Sequence, residues 1–170
     1  MSVDVKWWPY GCDLLGNKDV LSVLLDGLSH IDRECWISAG TLLGLEREGR
    51  FLHYDTDIDV AVRGPEEVEM PPTYRPIRFV EWDGKPTQRA YMHDASNIIF
   101  DIFHYYDDGD QIVNVQEKGS IRRSKRLVEP LARKSYLGHE FTVPNDIDTY
   151  LTEWYGDWRV PVRNGKTEWT

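Results

Sequence analysis

The sequence predicts a single α+β domain in which a mixed β-sheet is flanked by helices. Apolar residues recur at helical spacing near both ends of the chain, and the middle of the chain shows the alternation typical of strands. Gly, Pro, Asn and Asp clusters separate these segments as turns do. The length of 170 residues suits one domain, so we expect one domain over residues 1–170.

The individual elements follow from periodicity and from the residues that end each segment. Helical spacing of apolar residues, with capping residues beside it, predicts helices over about residues 18–34, 40–48, 125–134 and 146–156. Runs rich in β-branched and aromatic residues predict strands over about residues 35–38, 58–62, 77–82, 88–93, 97–106 and 111–115. Residues 64–76 are rich in proline and glutamate, and we expect them to form a loop.

The composition excludes several classes of protein. The formal net charge is −9, so we expect no nucleic-acid partner, because a broad phosphate-binding surface needs clustered basic residues. No apolar run approaches the roughly 18 residues of a membrane span, and no signal-peptide pattern precedes the domain. Cys12 and Cys35 fit no metal-ligand spacing, and reduced thiols favour a cytoplasmic location. The oligomeric state stays open.

One basic segment, residues 122–126, stands out from this acidic composition. Two interpretations stay open, since charge runs are commonly solvated surface but can also form a small anion site for a phosphorylated substrate. On the second interpretation, Lys125 and Arg126 are candidate substrate contacts. Gln88 and Arg89, on the predicted hairpin, are further candidates.

Three aspartates in strands indicate a metal centre. Asp57 and Asp59 are two positions apart, so the period of a strand places both carboxylates on one face. Asp101 interrupts the apolar run 98–103, where a carboxylate is expensive to bury unless it is paired or bound to a metal. If the two strands are neighbours, the three carboxylates can bind one Mg²⁺ or Mn²⁺ ion, which would offset their repulsion.

The segment around Gly40 and Thr41 joins a predicted strand to a helix. Free backbone N–H groups and the helix dipole make such a turn suitable for a phosphate, although an ordinary helix cap has the same composition.

A second alternative concerns the acidic motif, because Asp55 and Glu66 occupy positions one and twelve of an EF-hand spacing. Val60 stands where that loop needs glycine, which argues against calcium binding of this kind.

Two motifs together resemble a known family, the LicD/fukutin-like proteins of the nucleotidyltransferase (polymerase-beta-like) fold. The first motif comprises Gly40-Thr41-Leu42-Leu43-Gly44, Arg47, Phe51 and Asp55-Thr56-Asp57-Ile58-Asp59-Val60. The second comprises Val143-Pro144, Tyr150-Leu151, Tyr155-Gly156 and the segment from Trp158 to Pro161. The resemblance extends from about residue 36 to residue 161 and implies a LicD-like domain with that fold.

The resemblance also implies a function. Members of this family transfer a phospho-alcohol group, such as phosphocholine or ribitol phosphate, from a CDP-linked donor to a hydroxyl of a glycan. Carried over, Asp57, Asp59 and Asp101 would be the catalytic metal ligands, with Asp101 also a general base. Gly40 and Thr41 would bind the donor phosphate. Arg47 would hold a phosphate or orient Asp55, and an internal salt bridge is its alternative.

Other activities compatible with three metal-binding carboxylates stay open. A nucleotidyltransferase that uses a nucleoside triphosphate would release pyrophosphate, and a nucleotide-sugar glycosyltransferase with an Asp-x-Asp site would release a nucleoside diphosphate. The early Gly40-Thr41 turn argues against the glycosyltransferase, which needs a nucleotide-binding half before its acidic motif. A binding or structural module without catalysis predicts that Asp57→Asn changes stability but no turnover.

Overall fold

The computed structural model describes residues 18–52, 55–116 and 119–161, so Cys12 lies outside the described residues. Within these ranges the helices are α1 (Val20–Ser29), α2 (Ala39–Glu48), α3 (Lys125–Val128) and α4 (Ile147–Tyr155). The strands are β1 (Cys35–Ile37), β2 (Asp57–Arg63), β3 (Tyr74–Trp82), β4 (Lys85–His93), β5 (Ile98–Asp108), β6 (Gln111–Asn114), β7 (Ile121–Ser124), β8 (Ala132–Tyr136) and β9 (His139–Val143).

One mixed sheet organises the described part of the chain. Its main path runs β1-β2-β5-β4-β3, with β2 and β5 parallel and the other pairs antiparallel. β6 pairs with the last residues of β5, and β7 pairs with β6. β8 and β9 form a separate hairpin, and β9 packs against β1. The predicted mixed sheet flanked by helices is therefore confirmed.

The two faces of the sheet have different neighbours. On one face, Ile58 and Phe100 are fully buried beneath α1, whose Gly27 lies directly against the ring of Phe100. On the opposite face, β2 lies against α2, and Ser38 and Tyr150 join the start of α2 to α4 through a hydroxyl–hydroxyl hydrogen bond of 2.6 Å. This second face bears the strand aspartates. None of the described helices is long and apolar enough to cross a membrane.

The helix predicted over residues 125–134 is wrong beyond its first turn. α3 ends at Val128, and Glu129 has an extended backbone, which is the conformation that a following proline imposes. Pro130 then separates α3 from the strand β8. β7 was not predicted, because its arginines conceal the alternation of a strand. The first helix is also shorter than predicted and ends at Ser29, before the chain turns into β1.

The Gly27–Phe100 contact yields a stability prediction. A Cβ atom added to Gly27 would lie 2.3 Å from Cε2 of Phe100, which is far inside a van der Waals contact. Gly27→Ala should therefore lower the free energy of unfolding by about 1–3 kcal/mol, although alanine is the better helix former. Urea denaturation measures the change, and the cost should be smaller in a Phe100→Leu background. Stabilisation by Gly27→Ala would contradict this packing.

Candidate active site

Three carboxylates meet where β2 and β5 run side by side. The parallel register places Asp59 directly beside Asp101, and Asp57 lies two residues earlier on the same face. One oxygen from each of the three aspartates lies within 4.8 Å of the other two. Asp59 and Asp101 are each only 1% exposed, whereas Asp57 is half-buried. The expected grouping of Asp57, Asp59 and Asp101 is thus present.

The beginning of α2 holds Asp59 in place. The backbone N–H of Gly40 donates to Oδ2 of Asp59 at 2.9 Å, and the N–H of Asp59 donates to Oγ1 of Thr41 at 2.8 Å. A Cβ atom on Gly40 would come within 2.7 Å of Oδ2 of Asp55 and 3.2 Å of Oδ2 of Asp59, so glycine allows both carboxylates to approach the helix. The phosphate-binding role of Gly40 and Thr41 stays a prediction, because these polar groups contact Asp59.

Asp101 is held from the opposite side, by the β3–β4 hairpin. Nε2 of Gln88 donates to Oδ2 of Asp101 at 2.5 Å, and Nη2 of Arg78 lies 3.5 Å from the same oxygen. The second oxygen, Oδ1, is buried and has no hydrogen-bond partner among the described residues. One oxygen of Asp101 is therefore fixed by protein, and the other is buried without a donor among the described residues.

Burial and mutual repulsion make the cluster electrostatically unfavourable when all three groups are charged. Burial raises the pKa of Asp101 to about 7, with the Asp57 carboxylate adding to the rise and Arg78 opposing it. Burial also raises the pKa of Asp59 well above its ordinary value, and the charges of Asp57, Asp55 and Asp101 raise it further. The pKa of Asp57 is raised by burial, although Asp55 and Arg78 act against the rise.

The residues present fit a divalent cation. Mg²⁺ and Mn²⁺ prefer carboxylate oxygens, and three such oxygens converge here with one buried atom, Oδ1 of Asp101, lacking a donor. An EF-hand is excluded as the frame for such an ion, because residues 57–63 form a paired strand instead of a calcium loop. The metal itself stays a prediction.

Other predicted site residues lie elsewhere. Lys125 is 3.5 Å from Asp107, which is six residues beyond Asp101 on β5, or about 20 Å along the strand. Arg126 follows it on α3 and is exposed, so the structure does not bring these two residues to the carboxylates. Arg89 points to the opposite face, where it pairs with Glu67 and Glu81.

Arg47 has the contacts of an internal ion pair. Its side chain is 9% exposed, pairs with Glu48 at 3.0 Å and donates to the backbone carbonyl of Trp158 at 3.3 Å. These contacts connect α2 to the segment after α4 and support the structural alternative for Arg47. Its role toward a phosphate stays a prediction.

Two residues of the site come from the β3–β4 hairpin. Gln88 was a candidate in the sequence, whereas Arg78 was not. The register Arg78–Ala90–Asp101–Asp59 across four strands places the side chain of Arg78 on the carboxylate face. The sequence carries no local signal for the placement of Arg78 beside Asp101, because that placement depends on strand order and on a bulge between Pro76 and Arg78.

The raised pKa of Asp101 predicts a pH-dependent stability in the absence of metal. Between the ordinary value of 3.8 and about 7 the folded protein binds more protons than the unfolded chain, so this contribution to stability is lost as pH rises. With EDTA at pH 8, Asp101→Asn should therefore exceed wild type in unfolding free energy by roughly 1–3 kcal/mol. The difference should shrink at pH 4. A variant less stable than wild type at pH 8 in urea denaturation would contradict the assignment.

The close approach at Gly40 predicts a specific loss of metal affinity. Gly40→Ala inserts a methyl group against the carboxylates of Asp55 and Asp59, so Mn²⁺ affinity measured by calorimetry should fall by about tenfold or more. Gly109→Ala is the control for strain away from the site, because Gly109 lies in the β5–β6 turn with a φ of +60° that alanine adopts poorly, yet nothing lies within 4 Å of its Cβ position. Equal losses in both variants would show that the effect is not local.

Comparison with known proteins identifies the family of this chain. Residues 32–146 match the family described as LicD/FKTN/FKRP, nucleotidyltransferase domain. The chain is also similar to the ribitol-5-phosphate transferase FKTN of Mus musculus, with 22% identity over 162 residues. That match covers 86% of this chain and 34% of the mouse protein, so the chain spans about a third of its relative's length. Because the family match covers more than half of the chain and includes all three carboxylates, the chain belongs to the LicD/FKTN/FKRP family.

Proposed function

We propose that this chain adopts the polymerase-beta-like nucleotidyltransferase fold and is a metal-dependent transferase of phospho-alcohol groups. Its donor is a CDP-linked alcohol, and its acceptor is a hydroxyl of a glycan or a similar molecule. The observation that carries the proposal is the convergence of Asp57, Asp59 and Asp101 within 4.8 Å on one sheet face. The family and the ribitol-5-phosphate transferase activity named for the mouse relative support the class of reaction.

Asp57, Asp59 and Asp101 would hold the Mg²⁺ or Mn²⁺ ion. When bound, the ion neutralises charge on the donor's phosphate oxygens and on the departing nucleotide. Gly40 and Thr41 fix Asp59 through its side chain and its backbone N–H. Gln88 fixes Oδ2 of Asp101 and so orients the remaining oxygen of that carboxylate.

Asp101 also suits the proton transfer. Oδ1 of Asp101 has more than one lone pair and no protein donor among the described residues, so it can accept the proton of the acceptor's hydroxyl. The hydroxyl oxygen then forms a bond to the phosphorus next to the alcohol. The bond between that phosphorus and the bridging oxygen breaks, and CMP leaves with that oxygen. The phospho-alcohol group is thereby joined to the acceptor.

The products distinguish this reaction from its alternatives. A phospho-alcohol transferase releases CMP, a nucleotidyltransferase that uses a triphosphate releases pyrophosphate, and a nucleotide-sugar glycosyltransferase releases a nucleoside diphosphate. Water can replace the acceptor in a slow hydrolysis, so CMP release does not require knowledge of the natural acceptor.

The assay measures CMP released from CDP-choline, CDP-ribitol and CDP-glycerol with Mg²⁺ or Mn²⁺. Wild type should release CMP from at least one donor, and EDTA should abolish the release. Asp57→Asn and Asp101→Asn should each lower the rate by about 100-fold or more, because several kcal/mol of transition-state stabilisation are removed. Asp94→Asn is the matched control, since Asp94 is an exposed carboxylate that pairs with Arg75.

Each other outcome has a definite meaning. Pyrophosphate release from a nucleoside triphosphate, without CMP release from any donor, would replace the proposal with a nucleotidyltransferase. Folded protein that binds no Mn²⁺ in calorimetry would overturn the three-carboxylate metal site. Activity unchanged in Asp57→Asn would overturn the catalytic role of the cluster.

A further inference from the structure

The carboxylate face continues past Asp101 onto the β3–β4 hairpin. In the row Asp59–Asp101–Ala90–Arg78, Ala90 separates the aspartate from the arginine, and its small side chain leaves the guanidinium free to reach back over β4. Ala90 is fully buried, and Nη2 of Arg78 comes within 3.5 Å of Oδ2 of Asp101. Arg78 thus brings a positive charge to the edge of the metal-binding cluster.

The contact between Arg78 and Asp101, at 3.5 Å, is longer than the hydrogen bond from Gln88, so Arg78 is not the main group that holds the carboxylate of Asp101 in place. Gln88 already donates to the same oxygen at 2.5 Å, so Asp101 keeps a holding group if Arg78 moves. The side chain of Arg78 is 36% exposed, whereas that of Asp101 is 1% exposed. A partly exposed guanidinium with one long contact among the described residues retains N–H groups that can bind an incoming anion.

The negative charge of the cluster is a reason for a cation such as Arg78 beside it. The negative charge of three carboxylates exceeds the positive charge of one divalent cation, and a diphosphate donor would bring further negative charge to the same place. Arginine matches phosphate oxygens with two parallel N–H bonds, which lysine does not do. Lys125 does not supply this charge, because its partner Asp107 lies about 20 Å along β5 from Asp101.

We propose that Arg78 is a substrate-binding residue that contacts the diphosphate of the nucleotide-linked donor. This inference rests on the proposed function and names a side chain for its donor. In the substrate-free protein, Arg78 lies against Asp101. When the donor enters, the guanidinium binds phosphate oxygens, and Gln88 alone holds Oδ2 of Asp101.

Arg75 provides a matched control on the same strand. It lies three residues before Arg78, its side chain is 51% exposed, and it pairs with Asp94 at 3.3 Å. Across the sheet, Arg75 pairs with Met92, Met92 with Ile99, and Ile99 with Asp57. The Cα atoms of Arg75 and Asp57 are therefore three strand spacings apart, or about 14 Å. Arg75→Gln therefore removes the same charge from the same strand without removing the contact to the cluster.

The experiment measures binding of CDP and of cytidine to wild type, Arg78→Gln, Arg78→Lys and Arg75→Gln by calorimetry with saturating Mg²⁺. Arg78→Gln should weaken CDP binding by about 10–100-fold, and Arg78→Lys should restore only part of it. Cytidine, which has no phosphate, should bind all four proteins equally. Mn²⁺ affinity without nucleotide should be unchanged or higher in Arg78→Gln, because a positive charge beside the site has been removed.

Several results would overturn the inference. These are equal CDP affinity in wild type and Arg78→Gln, an equal loss in Arg75→Gln, and failure of wild type to bind CDP with metal. A fall in Mn²⁺ affinity in Arg78→Gln would instead make Arg78 a positioning residue for Asp101. The proposed function is judged separately by CMP release from wild type, so CDP binding that depends on Arg78 without CMP release would refute the reaction and leave the inference standing.

Discussion

The parallel pairing of β2 with β5 is the constraint on which the candidate site depends. It sets Asp59 beside Asp101 with both carboxylates on the face opposite α1. A slip of one residue would send Asp101 to the apolar face, where Phe100 now packs against Gly27. The fully buried residues on either side of Asp101 therefore determine where its charge lies.

This arrangement places charge where burial disfavours it. Asp59 and Asp101 are almost completely buried, and burial raises the pKa of both groups. The apolar packing of the strands holds the aspartates together against their repulsion, and a bound cation would offset that repulsion. A site of this kind lowers the stability of the metal-free protein, and in return its carboxylates already lie close enough together to bind a cation. Such arrangements are common in catalytic sites built from carboxylates.

Much of this site was predictable because its signals are local. The alternation around Asp57 and Asp59 and the interruption at Asp101 identify strand carboxylates without knowledge of the fold. Arg78 was missed because its position depends on strand order and on a bulge in β3. The position of Lys125 was not evident for a similar reason, since its distance from Asp101 depends on pairing at the far end of β5, and its contact with a substrate stays a prediction. Local periodicity carries neither kind of information.

The turn at Gly40 and Thr41 contacts Asp59, and its role in binding phosphate stays a prediction. A glycine at the start of a helix suits phosphate, yet here its N–H binds the carboxylate of Asp59, and Thr41 binds the backbone of that residue. The positive end of α2 therefore offsets the charge of Asp59, a predicted metal ligand. Since the N–H of Gly40 donates to a carboxylate, the phosphate of the proposed donor would need a cation from elsewhere in the site. The partly exposed guanidinium of Arg78, which lies 3.5 Å from Oδ2 of Asp101 across the sheet from α2, is in position to supply it.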